Sequence, residues 1–272
     1  CTGNHDCSGA NGYNKTYWNT YIGTDKTFEI THNGDHFLFI GMNAWDFKSG
    51  YTYEDLNWLE DKLNTYRNER CFVFMHCPIT QYVGNYKEMY NPHNWLTGGN
   101  LFRAMEMTNH FVNSIWFSGH SHWKWHLQKW EENANIYRNN SAWNVHIPSC
   151  AIPGDAIDDV EIGRMVEENE GAIVDVYEDY IEIKGIDFKT GKYIPVAQYR
   201  LDTTIQPVLD INNSATIKLT YAHLSASNDL AVIEKGQTYT NTFTVEEGYA
   251  IESITVKMGG ADITSIALSN NV

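Results

Sequence analysis

Apolar and polar positions follow two rhythms along the first two thirds of the chain. Cys71-Phe72-Val73-Phe74-Met75 and Ser114-Ile115-Trp116-Phe117 are short, unbroken apolar runs, the pattern of strands covered on both faces. His36 to Met42 and Thr27-Phe28-Glu29-Ile30 flank Asn33-Gly34, whose two residues tolerate positive φ and so favour a tight hairpin. Leu56, Leu59, Leu63 and Tyr66 instead recur at helical spacing, with Glu54, Glu60, Asp61, Lys62 and Arg67 on the solvated face. Thr52 and Asp55 spell a capping box ahead of this helix, and Asn68-Glu69-Arg70 close it. Asn100 is expected to cap a second, shorter helix over Leu101 and Met105.

Farther on, Trp123, Trp125 and Leu127 alternate with Lys124, His126 and Gln128, which predicts a half-buried strand. Glu131 to Ser141 read as a polar loop, Val145 to Cys150 as a strand, and the acidic stretch 153–170 as a solvated loop. Residues 171–177, 180–187 and 193–201 then predict an antiparallel meander that closes the sheet system. Composition changes after Asp202: Thr, Ser, Asn, Ile and Val dominate, and His223 is the sole histidine of that part. Strands expected at 215–221, 238–245 and 253–258 give it an all-β pattern. A domain boundary is therefore placed near Thr203–Pro207, separating 1–202 from 207–272.

A length of 272 residues with 42% hydrophobic content suffices for one large core plus a small module. No uninterrupted apolar run is long enough to span a membrane. The net charge of −15 argues against a surface that coats nucleic acid, which needs a basic footprint, but a small anionic substrate stays compatible where bound cations reverse the local field. The five cysteines form no Cys-x-x-Cys motif. Cys71 lies in an apolar run as a small hydrophobe, and the sequence leaves a Cys1–Cys7 bridge open. The chain starts two residues before a dense polar motif, as a cut piece of a longer protein would.

Candidate chemistry gathers at strand ends. Gly119-His120-Ser121-His122 follows one apolar run and His76-Cys77-Pro78 another, while Gly3-Asn4-His5-Asp6 opens the chain. Gly119 is expected to let the backbone turn, and two imidazoles one residue apart in a loop reach one small volume. Imidazole suits Zn, Fe, Ni, Cu and often Mn. Open α/β sheets bind ligands at strand ends, so His76 joins the pair as a candidate ligand. In the opening loop Asn4 offers a carbonyl oxygen and His5 a nitrogen, and Asp6 orients His5 by accepting its second N–H. Segments 7–21 and 77–99, rich in Tyr and Trp, read as pocket-edge loops.

The order of these three motifs, with the Leu56-Asn57-Trp58-Leu59 helix between the first two, resembles the calcineurin-like metallophosphoesterases over about residues 1–202. The resemblance implies an α+β fold, a two-sheet sandwich flanked by helices, and phosphomonoester or phosphodiester hydrolysis by water activated between two divalent metals, Mn, Zn or Fe. It assigns Asn4, His76 and His120 to one metal and His122 to the other. It gives His5 contact with phosphate and protonation of the leaving oxygen, with Asp6 orienting it. The family's Asp-x-His and Gly-Asp-x-x-Asp motifs, expected ahead of Gly3, are missing there. The fragment is accordingly expected to hold at most one weakly bound ion, to have little two-metal activity, and to need a partner or a rearrangement over the sheet edge left by the missing strands. A mononuclear zinc site of His76, His120 and His122 leaves Asn4 unexplained.

The stretches Thr244–Ile251 and Val256–Thr264 resemble an Ig-like β-sandwich repeat of Gram-positive surface proteins. That resemblance implies an extracellular or cell-envelope location in a bacterium. It also supports the alternative function, a non-catalytic surface-binding module on a degenerate phosphoesterase fold.

Overall fold

The computed structural model describes residues 1–3, 5–7, 20, 25–43, 50–79, 82–84, 98–125, 135–138, 142–150, 154–157, 161–164, 169–217, 219–228, 232–258, 261–262 and 264. It is a mixed α+β structure that divides into two compact units, Cys1–Asn213 and Ser214–Val272.

The first unit contains β1 (Phe28–His32), β2 (Asp35–Ile40), α1 (Tyr53–Thr65), β3 (Cys71–Met75), α2 (Gly98–His110), β4 (Ser114–Ser118), β5 (Ile136–Tyr137) and β6 (Trp143–His146). It continues with β7 (Gly154–Ile157), β8 (Glu161–Arg164), β9 (Glu170–Val176), β10 (Tyr180–Asp187) and β11 (Lys192–Asp202). A six-stranded sheet has the order β1-β2-β3-β4-β6-β5, with β2, β3, β4 and β6 parallel, and β11-β10-β9 form a separate three-stranded antiparallel sheet.

Alternation along the central strands produces two cores. Val73, Met75 and Trp116 face the helices, where they meet Leu56, Leu59 and Leu63 of α1 and Ala104 and Met107 of α2. Phe72, Ile115, Phe117 and Val145 point the other way and pack on Ile181, Ile183, Ala197, Tyr199 and Leu201 of the three-stranded sheet. The layers are thus helices, sheet, sheet. Each of the three α1 leucines is fully buried, which stabilises the fold by roughly 1.5–3 kcal/mol apiece.

The N-terminus of α1 carries the expected capping box: Thr52 Oγ1 accepts from Asp55 N and Asp55 Oδ2 accepts from Thr52 N. The helix stops at Thr65, earlier than its polar tail suggests; Tyr66 closes it, packs against the helix-side core as its spacing predicts, and stacks on His36 with ring centroids 3.6 Å apart. Arg70 has a long-range task instead. Its guanidinium grips both oxygens of Asp35 and donates to the carbonyls of Tyr177 and Glu178 and to Thr203 Oγ1, tying the β9–β10 turn to the large sheet.

Several expectations are corrected. Asn100 lies inside α2, which starts at Gly98, and its amide donates to Tyr51 O rather than capping the helix. No strand runs over Trp123–Trp125; both indoles and the intervening Lys124 are buried. Residues 126–128 of that expectation lie outside the described residues. The loop expected at 131–141 contains β5, and the acidic 153–170 stretch folds in part into the β7–β8 hairpin. Cys1 and Cys7 are free thiols, with Cys7 Sγ donating to Met42 O.

The compositional change follows Asp202, yet the first unit extends to Asn213 because side-chain amides hold the next segment against it. Asn113 exchanges two hydrogen bonds with the Gln206 backbone, Asn68 and Asn64 accept from Val208 N and Ile211 N, and Val208 enters the helix-side core. His110 Nε2 donates to Leu209 O at 2.9 Å. Burial holds the His110 ring below its ordinary value of 6.5, although the Leu209 carbonyl, Glu60 and Asp210 pull it up. Folding therefore favours neutral His110, and its contribution is present above pH 6.5 and is lost as pH falls from there through the lower folded value. The melting temperature should fall between pH 7.5 and pH 5. His110→Gln, which keeps a donor for Leu209 O but does not titrate, should show a smaller fall in thermal melts followed by circular dichroism. An equal fall would refute the assignment.

In the second unit, β12 (Ser214–Thr216) pairs with β14 (Val232–Glu234), β13 (Leu224–Ala226) with β15 (Phe243–Val245), and β16 (Lys257–Met258) with β17 (Ala261–Asp262), all antiparallel. These strands are shorter than the expected 215–221, 238–245 and 253–258. Among its described residues no hydrophobic side chain is fully buried. Among the described residues of the whole chain, no helix is long and apolar enough to cross a membrane.

Candidate metal centre

Three neighbouring parallel strands end at the same edge of the large sheet, and each ends at a histidine. His76 follows β3, His120 follows β4 after Gly119, and His146 is the last residue of β6. Register makes them neighbours, since Phe74 pairs with Phe117 and Ser118 with His146. Backbone hydrogen bonds continue past the strands, from Gly119 N to His76 O at 3.0 Å and from Ile147 N to Ser118 O at 2.7 Å.

His76 and His120 meet directly. Nε2 of His76 lies 3.0 Å from Nδ1 of His120, with the rings edge to face. Two nitrogens bound to one ion at about 2.0–2.1 Å lie roughly 2.8–3.4 Å apart, for right-angle to tetrahedral arrangements. The observed separation therefore suits a shared cation as well as a hydrogen bond. Tyr51 sets the direction of His76: its buried hydroxyl accepts from His76 N at 3.0 Å and Cys77 N at 3.3 Å. Burial keeps that phenol protonated far above its ordinary range.

The opening loop reaches the same edge because it is clamped to the end of β2. Met42 N donates to Thr2 O, and Thr2 Oγ1 donates back to Met42 O. Gly3 then lies so close to His76 that a Cβ there would sit 2.6 Å from Nδ1, so only glycine fits without displacement. Asp6 accepts at Oδ2 from Gly3 N at 2.8 Å, closing a short turn around a single 3-10 turn over His5–Cys7. Asn4 and the side chain of His5 lie outside the described residues.

The turn after β4 differs from its expectation. The left-handed backbone falls on His120 (φ 72°) and His122 (φ 63°) rather than on Gly119, where an added Cβ would meet only Ile147 O at an ordinary 3.8 Å. Non-glycine residues in this region cost about 1–3 kcal/mol each and persist where surrounding contacts over-determine them. Here the contacts are Gly119 N to His76 O, Ser121 N to Gly119 O, and Trp123 N to Ser121 Oγ. Ser121 Oγ also lies 2.7 Å from His146 Nε2.

His146 and Tyr51 were missed by the sequence reading. Val145-His146 repeats the signal that singled out His76, a histidine closing an apolar run, but it was absorbed into a strand running to Cys150. His146 is fully buried, and its Nδ1 has no hydrogen-bond partner among the described residues. Burial first, then repulsion from His122, His120 and His76, pushes the ring down to about 3, so it is neutral at physiological pH. Among the described residues, no group of three or more His, Cys, Asp or Glu side chains converges closely enough to hold a metal ion. The two rings of His76 and His120 are the donor pair that is assembled. No protein-family model matches the chain, and no curated protein matches it.

Proposed function

We propose that this chain carries part of the site of a metal-dependent phosphoester hydrolase of the calcineurin-like kind. The observation that supports the reading best is the His76–His120 contact of 3.0 Å at the ends of adjacent parallel strands, with the opening loop packed on the same imidazole. In this reading His76 and His120, with Asn4, hold one divalent ion and His122 contributes to a second. Bound divalent ions supply a water that deprotonates near neutrality and offset the charge of the phosphoryl group. The chain's own residues then bind, orient and protonate. His76 and His120 present ring nitrogens, and Tyr51 keeps His76 facing the site through its backbone N–H. His5 contacts the phosphate oxygens and donates a proton to the leaving oxygen, with Asp6 in the same short turn.

The substrate is a small phosphorylated molecule, since an acidic chain offers no basic track for nucleic acid. The Ser214–Val272 unit, with its antiparallel ladders, is read as an accessory Ig-like module that places the protein outside a bacterial cell or on its envelope. The test is hydrolysis of a generic aryl phosphodiester with Mn2+, Zn2+ or Fe2+, by this chain and by a longer chain that carries Asp-x-His and Gly-Asp-x-x-Asp motifs ahead of Cys1. Metal-dependent turnover that is strong in the longer protein and weak in this chain is the expected result. No turnover in either, with both folded and metal supplied, would replace the hydrolase with the surface-binding reading.

A further inference from the structure

We propose that His146 is a positioning residue, which acts through Ser121 to hold the Gly119-His120-Ser121-His122 turn in the shape that presents His120 and His122. What those two histidines hold rests on the metal reading above; the pin itself rests on geometry.

Ser121 sits between the two histidines and is buried, with 1% of its surface exposed. Its hydroxyl oxygen accepts from Trp123 N at 3.2 Å and lies 2.7 Å from His146 Nε2. One atom therefore ties the turn to its own exit and to a neighbouring strand. That strand is rigid where it matters: His146 pairs with Ser118 in β4, and its N–H donates to Asn135 O at 2.7 Å. The turn has no such ladder, and two of its four residues hold a left-handed backbone that their side chains disfavour. Gly119 N and the His120 ring tie the start of the turn to His76, and the link from Ser121 to β6 ties its middle residue to the strand on the other side.

The pair is also roofed. Gly84 (φ +87°) passes so close that a Cβ there would lie 3.4 Å from Ser121 Oγ and 3.6 Å from His146 Nδ1. A buried imidazole that meets a serine rather than the site has the form of an orienting partner one shell behind metal-type ligands.

The experiment uses this chain and Zn2+ as the probe, with amide hydrogen exchange read first on the metal-free protein. In His146→Leu the amides of Ser121 and Trp123, and in Ser121→Ala that of residue 121, should exchange about tenfold faster or more, while those of β9 and β10 hold. Zn2+ affinity should fall about tenfold, the scale of lost orienting partners. His146→Gln places an amide within reach of Ser121 and should recover most of both losses, which a purely space-filling role would not predict. Ser121→Ala, which deletes one oxygen, carries the test should His146→Leu unfold. Unchanged exchange at the turn overturns the pin, and a looser turn with unchanged Zn2+ affinity overturns the positioning role. A wild-type chain that takes up no Zn2+ overturns the metal reading instead. Exchange then decides the pin alone, faster in the variants sustaining it and unchanged refuting it.

Discussion

Trp125→Ala should cost the first unit about 3–5 kcal/mol of stability, the range for deleting a large buried aromatic side chain. Trp125 is fully buried and joins the core between the two sheets, with its ring 5.6 Å from that of Tyr199. Its indole N–H donates to Gly171 O at 2.9 Å, so the substitution also leaves a buried carbonyl without its donor. Its backbone N–H donates to the carboxylate of Glu170, itself fully buried. One residue thus connects the turn after His122 to the first residues of β9. At about 2–4 °C per kcal/mol for a unit of this size, the melting temperature should fall by roughly 10 °C. Phe102→Ala is the control, because that ring is 65% exposed and its loss should matter little. Equal melting of the two variants would show that Trp125 does not hold the sheets together.

His76→Ala is expected to have the largest effect on the site. It removes one of the two assembled donor nitrogens, so Zn2+ affinity measured by calorimetry should fall at least 100-fold, beyond the roughly 10–100-fold cost of losing an orienting partner. Stability should change little, since His76 is half-buried outside both cores and Tyr51 still accepts from the backbone N–H of residue 76. Unchanged Zn2+ uptake by a folded His76→Ala chain would remove the observation on which the proposed function stands.

How legible the site was depended on the range of the interactions involved. The histidines at 76 and 120 stood out because one closes an apolar run and the other follows a glycine after one, and His122 because it lies one residue beyond His120, all local signals. The choice of Gly119 as the bent residue was a propensity argument. Contacts from Ser121 to Trp123 and His146 override it and place the left-handed backbone on two histidines. Tyr51 was unreadable in its role because its partners, His76 and Cys77, lie about one helix and one strand away along the chain. The β7–β8 hairpin escaped because its residues lack an apolar alternation, and it is strand pairing that defines it.

By itself the sequence determined the local elements: the Asn33-Gly34 hairpin, the capped helix from Thr52, the buried strands before His76 and Gly119, and the closing meander. These follow from side-chain period, cap chemistry and turn residues, which act over a few positions. Only the tertiary structure decided the order β3-β4-β6, and with it that His76, His120 and His146 share an edge. Parallel neighbours are joined through long crossovers, and their order and register are chosen by which faces bury together across the whole sheet. No local pattern carries that information.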